Sequence, residues 1–226
     1  MNVAVSGDRV CCLSERLASD AYIFAVANGF GRIDGEPAAA LALHGLRREL
    51  ERRAHSTRFR KLRHRSRTVV AALTSAILHV NSEIHARSAS HEDYVTAAAS
   101  LTAALLIGSR VYLAHIGSTA GYLARNGSMV LLTQNDAFDD AGLPVLVGAL
   151  GLAHSLAPAI SVFALADGDT LVLAGRALPQ NAERLIITFT AGNEAEVTVP
   201  FEAHTTPSIL IGGLATLIFY ALLCLR

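Results

Sequence analysis

Apolar residues along this chain fall into two rhythms. Over Val3–Val5, Val10–Leu13 and Ala21–Ala27 they come in short runs, which predicts strands, the last ending at the turn signal Asn28-Gly29. From Glu36 to about Ala54 the spacing changes to three and four residues, and it does so again from Thr68 to Ala86, which predicts two long helices. Between them His55–Arg67 is too charged to bury. Strand rhythm returns over Ala97–Ile107, Arg110–Ile116, Gly121–Arg125 and Met129–Thr133, with Gly108-Ser109 and Asn126-Gly127 as hairpin turns. Val145–Ala157 reads as a Gly-rich apolar connection, Ile160–Leu165 and Thr170–Ala174 as strands, Asn181–Thr190 as a short helix and Glu196–Phe201 as a last strand. Strands, two successive helices, then hairpins predict an α+β class with helices packed on antiparallel sheets.

A different pattern closes the chain. Ser208–Leu225 (SILIGGLATLIFYALLCL) carries no charge and includes Gly, Ser and Thr of the kind tolerated in membrane helices. At about 1.5 Å per residue it reaches roughly 27 Å, just short of a ~30 Å hydrocarbon core. It is read as a transmembrane helix, with residues 203–207 as linker and residues 1–202 as one domain; a buried core helix is the other reading. The expected location is a membrane, single-pass, with the N-terminal domain cytoplasmic, although Arg226 at the far interface runs against the positive-inside tendency. Met1–Leu13 is interrupted by Ser6, Asp8 and Arg9 and does not read as a signal peptide.

Charge changes the picture locally. The formal net charge is zero, so no whole-chain attraction to nucleic acid is expected. Ten of the nineteen Lys and Arg residues nevertheless fall between Arg47 and Arg67. Of these, Arg58, Arg60, Lys61, Arg63, Arg65 and Arg67 form a candidate basic surface for anionic lipid headgroups in preference to nucleic acid, weighed against a solvated loop. Three cysteines make no disulfide framework; Cys11 and Cys12, adjacent on a strand, are expected on opposite faces. No histidine pair has a clear metal-ligand spacing, and His115 reads as a core or rim residue. Ser6, Ser14 and Ser118 lack a nucleophile-elbow context.

Four stretches in order then carry a resemblance. Tyr22–Leu43 is similar to a strand, an Ala-Asp-Gly-Met-Gly-Gly turn and a Gly-Glu opening a long helix. Ser100–Ala137 is similar to hairpins around Val-Gly-Asp-Ser-Arg and Leu-Thr-x-Asp-His. Leu165–Leu178 resembles a strand ending in Ser-Asp-Gly-Leu, and Ala182–Val199 a helix and an Asp-Asn-(Ile/Ala)-Thr-Val strand. Together, over Val3–Phe201, the chain resembles the metal-dependent Ser/Thr protein phosphatases of the PPM (protein phosphatase 2C) type in their short bacterial form. The resemblance implies a sandwich of two antiparallel β-sheets flanked by helices, and a chemistry in which two Mg²⁺ or Mn²⁺ ions activate a bridging water.

Such hard cations need carboxylate oxygens, and at the matching positions this chain departs from the pattern. Asn28, followed by Gly29, stands where the bridging aspartate belongs. Arg176 stands at the Asp of Ser-Asp-Gly, placing a fixed cation where a metal would sit. Ala195 stands at the final aspartate, with Glu194 or Glu196 as partner if the register slips. Ser118 and Asn135 replace two further acidic positions. Asp8 and Glu36 are candidate acidic remnants, and the arginine expected just before Asp8 has no counterpart. The expected function is therefore that of a catalytically degenerate phosphatase-like domain, a pseudophosphatase without cofactor, tethered to a membrane and acting by protein or phosphoprotein binding. Arg176 is a candidate anion-binding group, and a Ser/Thr kinase or phosphoprotein is the partner implied by analogy. The alternative is an active Mg²⁺- or Mn²⁺-dependent protein Ser/Thr phosphatase with an atypical metal site.

Overall fold

The computed structural model of the chain describes residues 3–6, 10–18, 20–33, 36–56, 59, 64–90, 97–126, 128–134, 136–140, 143–146, 148–166, 168–175, 208–212 and 215–220. Strands β1 (Val3–Ser6), β2 (Val10–Ala18) and β3 (Ala21–Phe30) lead through two short pieces, β4 (Arg32–Ile33) and β5 (Glu36–Pro37), into helix α1 (Ala38–Ala54) and then α2 (Ser66–Ser90). Strands β6 (Ala98–Ile107), β7 (Arg110–Ile116), β8 (Ala120–Arg125), β9 (Ser128–Leu131), β10 (Ala137–Asp140), β11 (Leu143–Leu146), β12 (Ala159–Ala164) and β13 (Thr170–Ala174) follow. The last described elements are β14 (Ser208–Gly212) and β15 (Ala215–Tyr220).

Two sheets result. The first has the order β1-β2-β3-β6-β7-β12 and is antiparallel throughout. Its centre is the pairing of β3 with β6, in register from Ala21 opposite Ile107 to Phe30 opposite Ala98. The second has the order β14-β15-β13-β8-β9 and is antiparallel except for the parallel pair β13 and β15. Alternation along the first sheet divides its side chains between two cores. Cys11, Leu13, Ile23, Ala25, Ala27, Leu101 and Ala103 face α1 and α2. Val10, Cys12, Phe24, Val26, Ala104 and Leu113 face the second sheet and meet Leu171 and Leu173 there. The two cysteines thus lie on opposite faces as expected, and both are free and buried. Burial, reinforced at Cys11 by Glu36 and at Cys12 by Cys11, pushes their thiols up to about 11 and about 12, so neither is a ready nucleophile.

The helices form where the apolar spacing places them. Pro37 sets the extended residue before α1, and Arg52 and Arg53 in its last turn complement the helix dipole. On α2, Val69, Leu73, Ile77, Val80 and Ile84 recur at three and four residues and are all buried. The two helices touch closely at Gly45, where a Cβ would come within 3.0 Å of Val80 Cγ2. Asn81, fully buried on α2, clamps the segment after β11: its Nδ2 donates to Ala153 O at 2.9 Å and His154 O at 3.3 Å, and its Oδ1 accepts from Gly151 N at 2.8 Å. The same segment bridges to β6 through the reciprocal Ala99 and Leu150 backbone bonds.

The C-terminal segment differs from its expectation. Its described residues form strands β14 and β15, not a helix, and β15 pairs with β13 from Thr170 opposite Thr216 to Ala174 opposite Tyr220. The physical reason is that β13 is buried, with an edge whose backbone donors and acceptors need partners. Ile209, Ile211, Thr216, Ile218, Phe219 and Tyr220 supply the β-branched and aromatic residues that suit a strand. Among the described residues no helix is long and apolar enough to cross a membrane. The β10–β11 hairpin also replaces the start of what reads in sequence as an irregular connection. The helix expected over Asn181–Thr190, the strand over Glu196–Phe201 and the linker lie outside the described residues.

Candidate functional site

A polar group of residues at one end of the interface between the two sheets is built by register. Val10, Asn28 and Ser100 lie directly opposite one another on β2, β3 and β6, so all three share one face, the face toward the second sheet. Asn28 ends the buried run of β3 and is only partly covered. Its Nδ2 donates to the backbone oxygen of Gly175, just beyond β13, at 3.0 Å. The Gly175 turn rests on β2, since a Cβ there would approach Val10 Cγ1 to 3.1 Å. Gly29 is pressed from two sides: a Cβ would lie 2.8 Å from Ala98 O and 2.9 Å from Ala39 N. The start of α1 therefore sits directly against the backbone that carries Asn28.

Ser118 and Ser100 complete this end of the interface. Ser118 N donates to Ser100 Oγ at 3.0 Å, and the two hydroxyls are 3.2 Å apart. Gly117 N donates to Asp136 Oδ2 at 2.9 Å, which fixes the loop after β9 against the loop after β7. Glu36 is half-exposed and its Oε1 is 2.7 Å from His44 Nδ1, so this acidic remnant is paired along α1. Asp8, Arg176, Glu194, Ala195 and Glu196 lie outside the described residues, as do Asn135 and the basic residues Arg58, Arg60, Lys61 and Arg63. Arg65 and Arg67 are exposed at the start of α2.

A carbonyl oxygen only accepts, so the Asn28 side chain meets Gly175 with its NH₂ group as donor. Among the described residues no three or more His, Cys, Asp and Glu side chains come together in metal-binding geometry.

Between the sheets lies a buried network around His115, which the sequence places as a core or rim residue without connecting it to Thr102 and Thr119. His115 is buried; its Nε2 is 2.7 Å from Gln134 O, which only accepts, so Nε2 carries the proton. Its Nδ1 then accepts from Thr102 Oγ1 at 2.9 Å, and Thr102 Oγ1 accepts from Thr119 Oγ1 at 2.8 Å. The signal available was the phase of β6: Ser100 and Thr102 continue the inward-facing series of Ala104, so polar residues point into a core.

The neutral ring sets a pH dependence. Burial pulls His115 below its ordinary value of 6.5, outweighing the Gln134 carbonyl, Asp136 and Gly117, which favour the charged form. The folded value lies below the unfolded one, so the unfolded chain binds the proton first. The contribution is therefore fully present above about pH 6.5 and is lost as pH falls through that value. Thermal melts from pH 7.5 to 5 are expected to fall more steeply for the wild type than for His115→Gln, and parallel curves would refute the assignment.

Comparison with known proteins agrees with this geometry. No protein-family profile matches the chain. The serine/threonine protein phosphatase PstP of Mycobacterium tuberculosis is 37% identical over 70 residues, covering 31% of this chain and 14% of that protein's length. Among solved structures, the Streptococcus agalactiae (S. agalactiae) serine/threonine phosphatase superposes with a TM-score of 0.61 at 18% identity, over 74% of this chain and 73% of the other. The crystal structure of PstP from Mycobacterium tuberculosis gives 0.52 at 22% identity, over 71% and 75%. The order of elements, the two packed sheets and these superpositions agree: the chain has the fold of the bacterial PPM-type Ser/Thr phosphatases.

Proposed function

We propose that this domain is a pseudophosphatase, a PPM-type phosphatase fold that works by binding a protein or phosphoprotein and not by two-metal hydrolysis. The observation that carries the reading is the Asn28 to Gly175 hydrogen bond. An amide tolerates a carbonyl as its neighbour because it presents hydrogens, whereas a carboxylate would meet that carbonyl with a second acceptor. The Asn28 amide group thus has a protein partner of its own, which supports a reading without a cation at this position. Arg176, next in sequence to Gly175, adds a positive charge close to the same place in the chain and supports an anionic occupant such as a phosphorylated side chain.

The direct test is Mn²⁺ titration of the full chain with a generic phosphate ester. No Mn²⁺-dependent turnover is expected; turnover abolished by a chelator would establish the alternative, an active phosphatase with an atypical metal site. Asn28→Asp sharpens the test. It is expected to restore no hydrolysis and to destabilise the fold by about 1–2 kcal/mol, through one lost hydrogen bond and an acceptor facing an acceptor. Gain of turnover in that single variant would mean that only one ligand is missing.

Membrane attachment is a second reading, supported by the charge-free stretch Ser208–Leu225 and by the basic residues between Arg58 and Arg67. Its expected signature is retention of the full chain in the membrane fraction after a high-salt wash. Recovery in the soluble fraction would remove it and leave the segment to its pairing with β13.

A further inference from the structure

We infer that His85 and His154 form a two-histidine site for a borderline divalent transition-metal ion of the Ni²⁺, Cu²⁺ or Zn²⁺ class, remote in chemistry from the group around Asn28. His85 lies near the end of α2 and His154 on the segment after β11, and their ring centroids are 6.0 Å apart at an interplanar angle of 62°. An ion about 2.1 Å from one nitrogen of each ring sits roughly 3.2 Å from each centroid, so two ligands at a tetrahedral angle place their centroids roughly 5.2 Å apart and two in line roughly 6.4 Å apart. The observed 6.0 Å lies between these, and a turn of the exposed His154 ring brings it to the tetrahedral value.

The arrangement around the pair is that of supported ligands. His85 Nδ1 is 3.0 Å from Gly151 O, an acceptor, so Nδ1 holds the hydrogen and the Nε2 lone pair is left to bind. Orientation of a ligating imidazole by a backbone carbonyl on its other nitrogen is a recurrent feature of metal sites. The His154 segment is also held in place. Asn81 bonds Gly151 N, Ala153 O and His154 O, and Leu150 is bridged to Ala99. Its ring is exposed, which leaves access for the ion and for waters that complete the coordination.

Among the described residues no carboxylate joins the two imidazoles, and a pair of nitrogen ligands favours borderline over hard cations, so Mn²⁺ and Mg²⁺ are not expected here. Bound metal would cross-link α2 to the segment after β11 and stabilise the folded state by mass action. The two residues are 69 positions apart, which is why no spacing motif marks them.

The test is equilibrium dialysis of Ni²⁺ against the full chain without a polyhistidine tag, with His154→Ala, His85→Ala and the double variant alongside. His154→Ala removes only an exposed ring, so its folding is safe even if His85→Ala, which loses the Gly151 bond, is not. The expected result is an equivalent of bound Ni²⁺ that disappears in His154→Ala, with no further loss in the double variant, and a Ni²⁺-induced rise in melting temperature seen in the wild type and absent from His154→Ala. Ni²⁺ binding and melting shift unchanged by His154→Ala would overturn the site, as would independent, additive losses from the two single variants.

Discussion

Gly29→Ala is expected to be among the most damaging single methyl additions in the chain. The new Cβ would meet two backbone atoms, Ala98 O at 2.8 Å and Ala39 N at 2.9 Å, and neither is the free end of a side chain that can turn away. Relief requires β6 or the first turn of α1 to move, and both are buried on several sides: Ala38, Ala39, Ala98 and Ala99 have almost no exposure. Overpacking of this kind costs about 3 kcal/mol, which for a chain of this size lowers the melting temperature by roughly 6–12 °C. Gly108→Ala is the internal control. Gly108 has φ +59° with nothing within 4 Å, so its variant meets only the left-handed backbone penalty of about 1–2 kcal/mol. If Gly29→Ala melts no lower than Gly108→Ala, the close seating of α1 on the β3 and β6 backbones is wrong. The consequence reaches the site as well, because shifting Gly29 displaces Asn28 and should break its bond to Gly175.

Asn81→Ala should be comparably severe for a different reason. The side chain is fully buried and makes three hydrogen bonds to one loop, so its loss strands Gly151 N and two carbonyls while leaving a polar cavity. With water partly refilling that space, the expected loss is about 3 kcal/mol. The damage should be regional: hydrogen exchange is expected to rise at Gly151 and its neighbours while the centre of β3 and β6 stays protected. Asn81→Asp keeps the acceptor for Gly151 N but turns a donor into an acceptor against Ala153 O and His154 O, and it should recover little. A variant that melts with the wild type and shows unchanged exchange at Gly151 would mean that the clamp contributes nothing.

Much of the fold was legible because burial on one side enforces a period. Alternation along Val10–Leu13 and Ala21–Ala27 placed β2 and β3, and the three and four residue spacing placed α1 and α2 to within a few residues. The C-terminal stretch is the least legible part of the chain. An uncharged apolar run is equally compatible with lipid and with a sheet edge, and its described residues pair with the flank of β13. The β10–β11 hairpin was missed because its apolar residues lie among glycine and aspartate, without clear alternation.

The candidate site divides in the same way. The resemblance in the chain's letters raised the expectation that Asn28 and Arg176 stand where the related phosphatases carry carboxylates, and residue type alone says that neither side chain could supply an anionic oxygen to a hard cation. The chain's letters determined the α+β class and the two helices, because periodicity is a local property. Only the tertiary structure decided that the Asn28 amide meets Gly175, 147 residues away, that His115, Thr102 and Thr119 are joined by hydrogen bonds between the sheets, and that His85 lies beside His154. Those pairings are set by the register of strands and by helix packing across long sequence separations, and neither leaves a periodic trace in the chain.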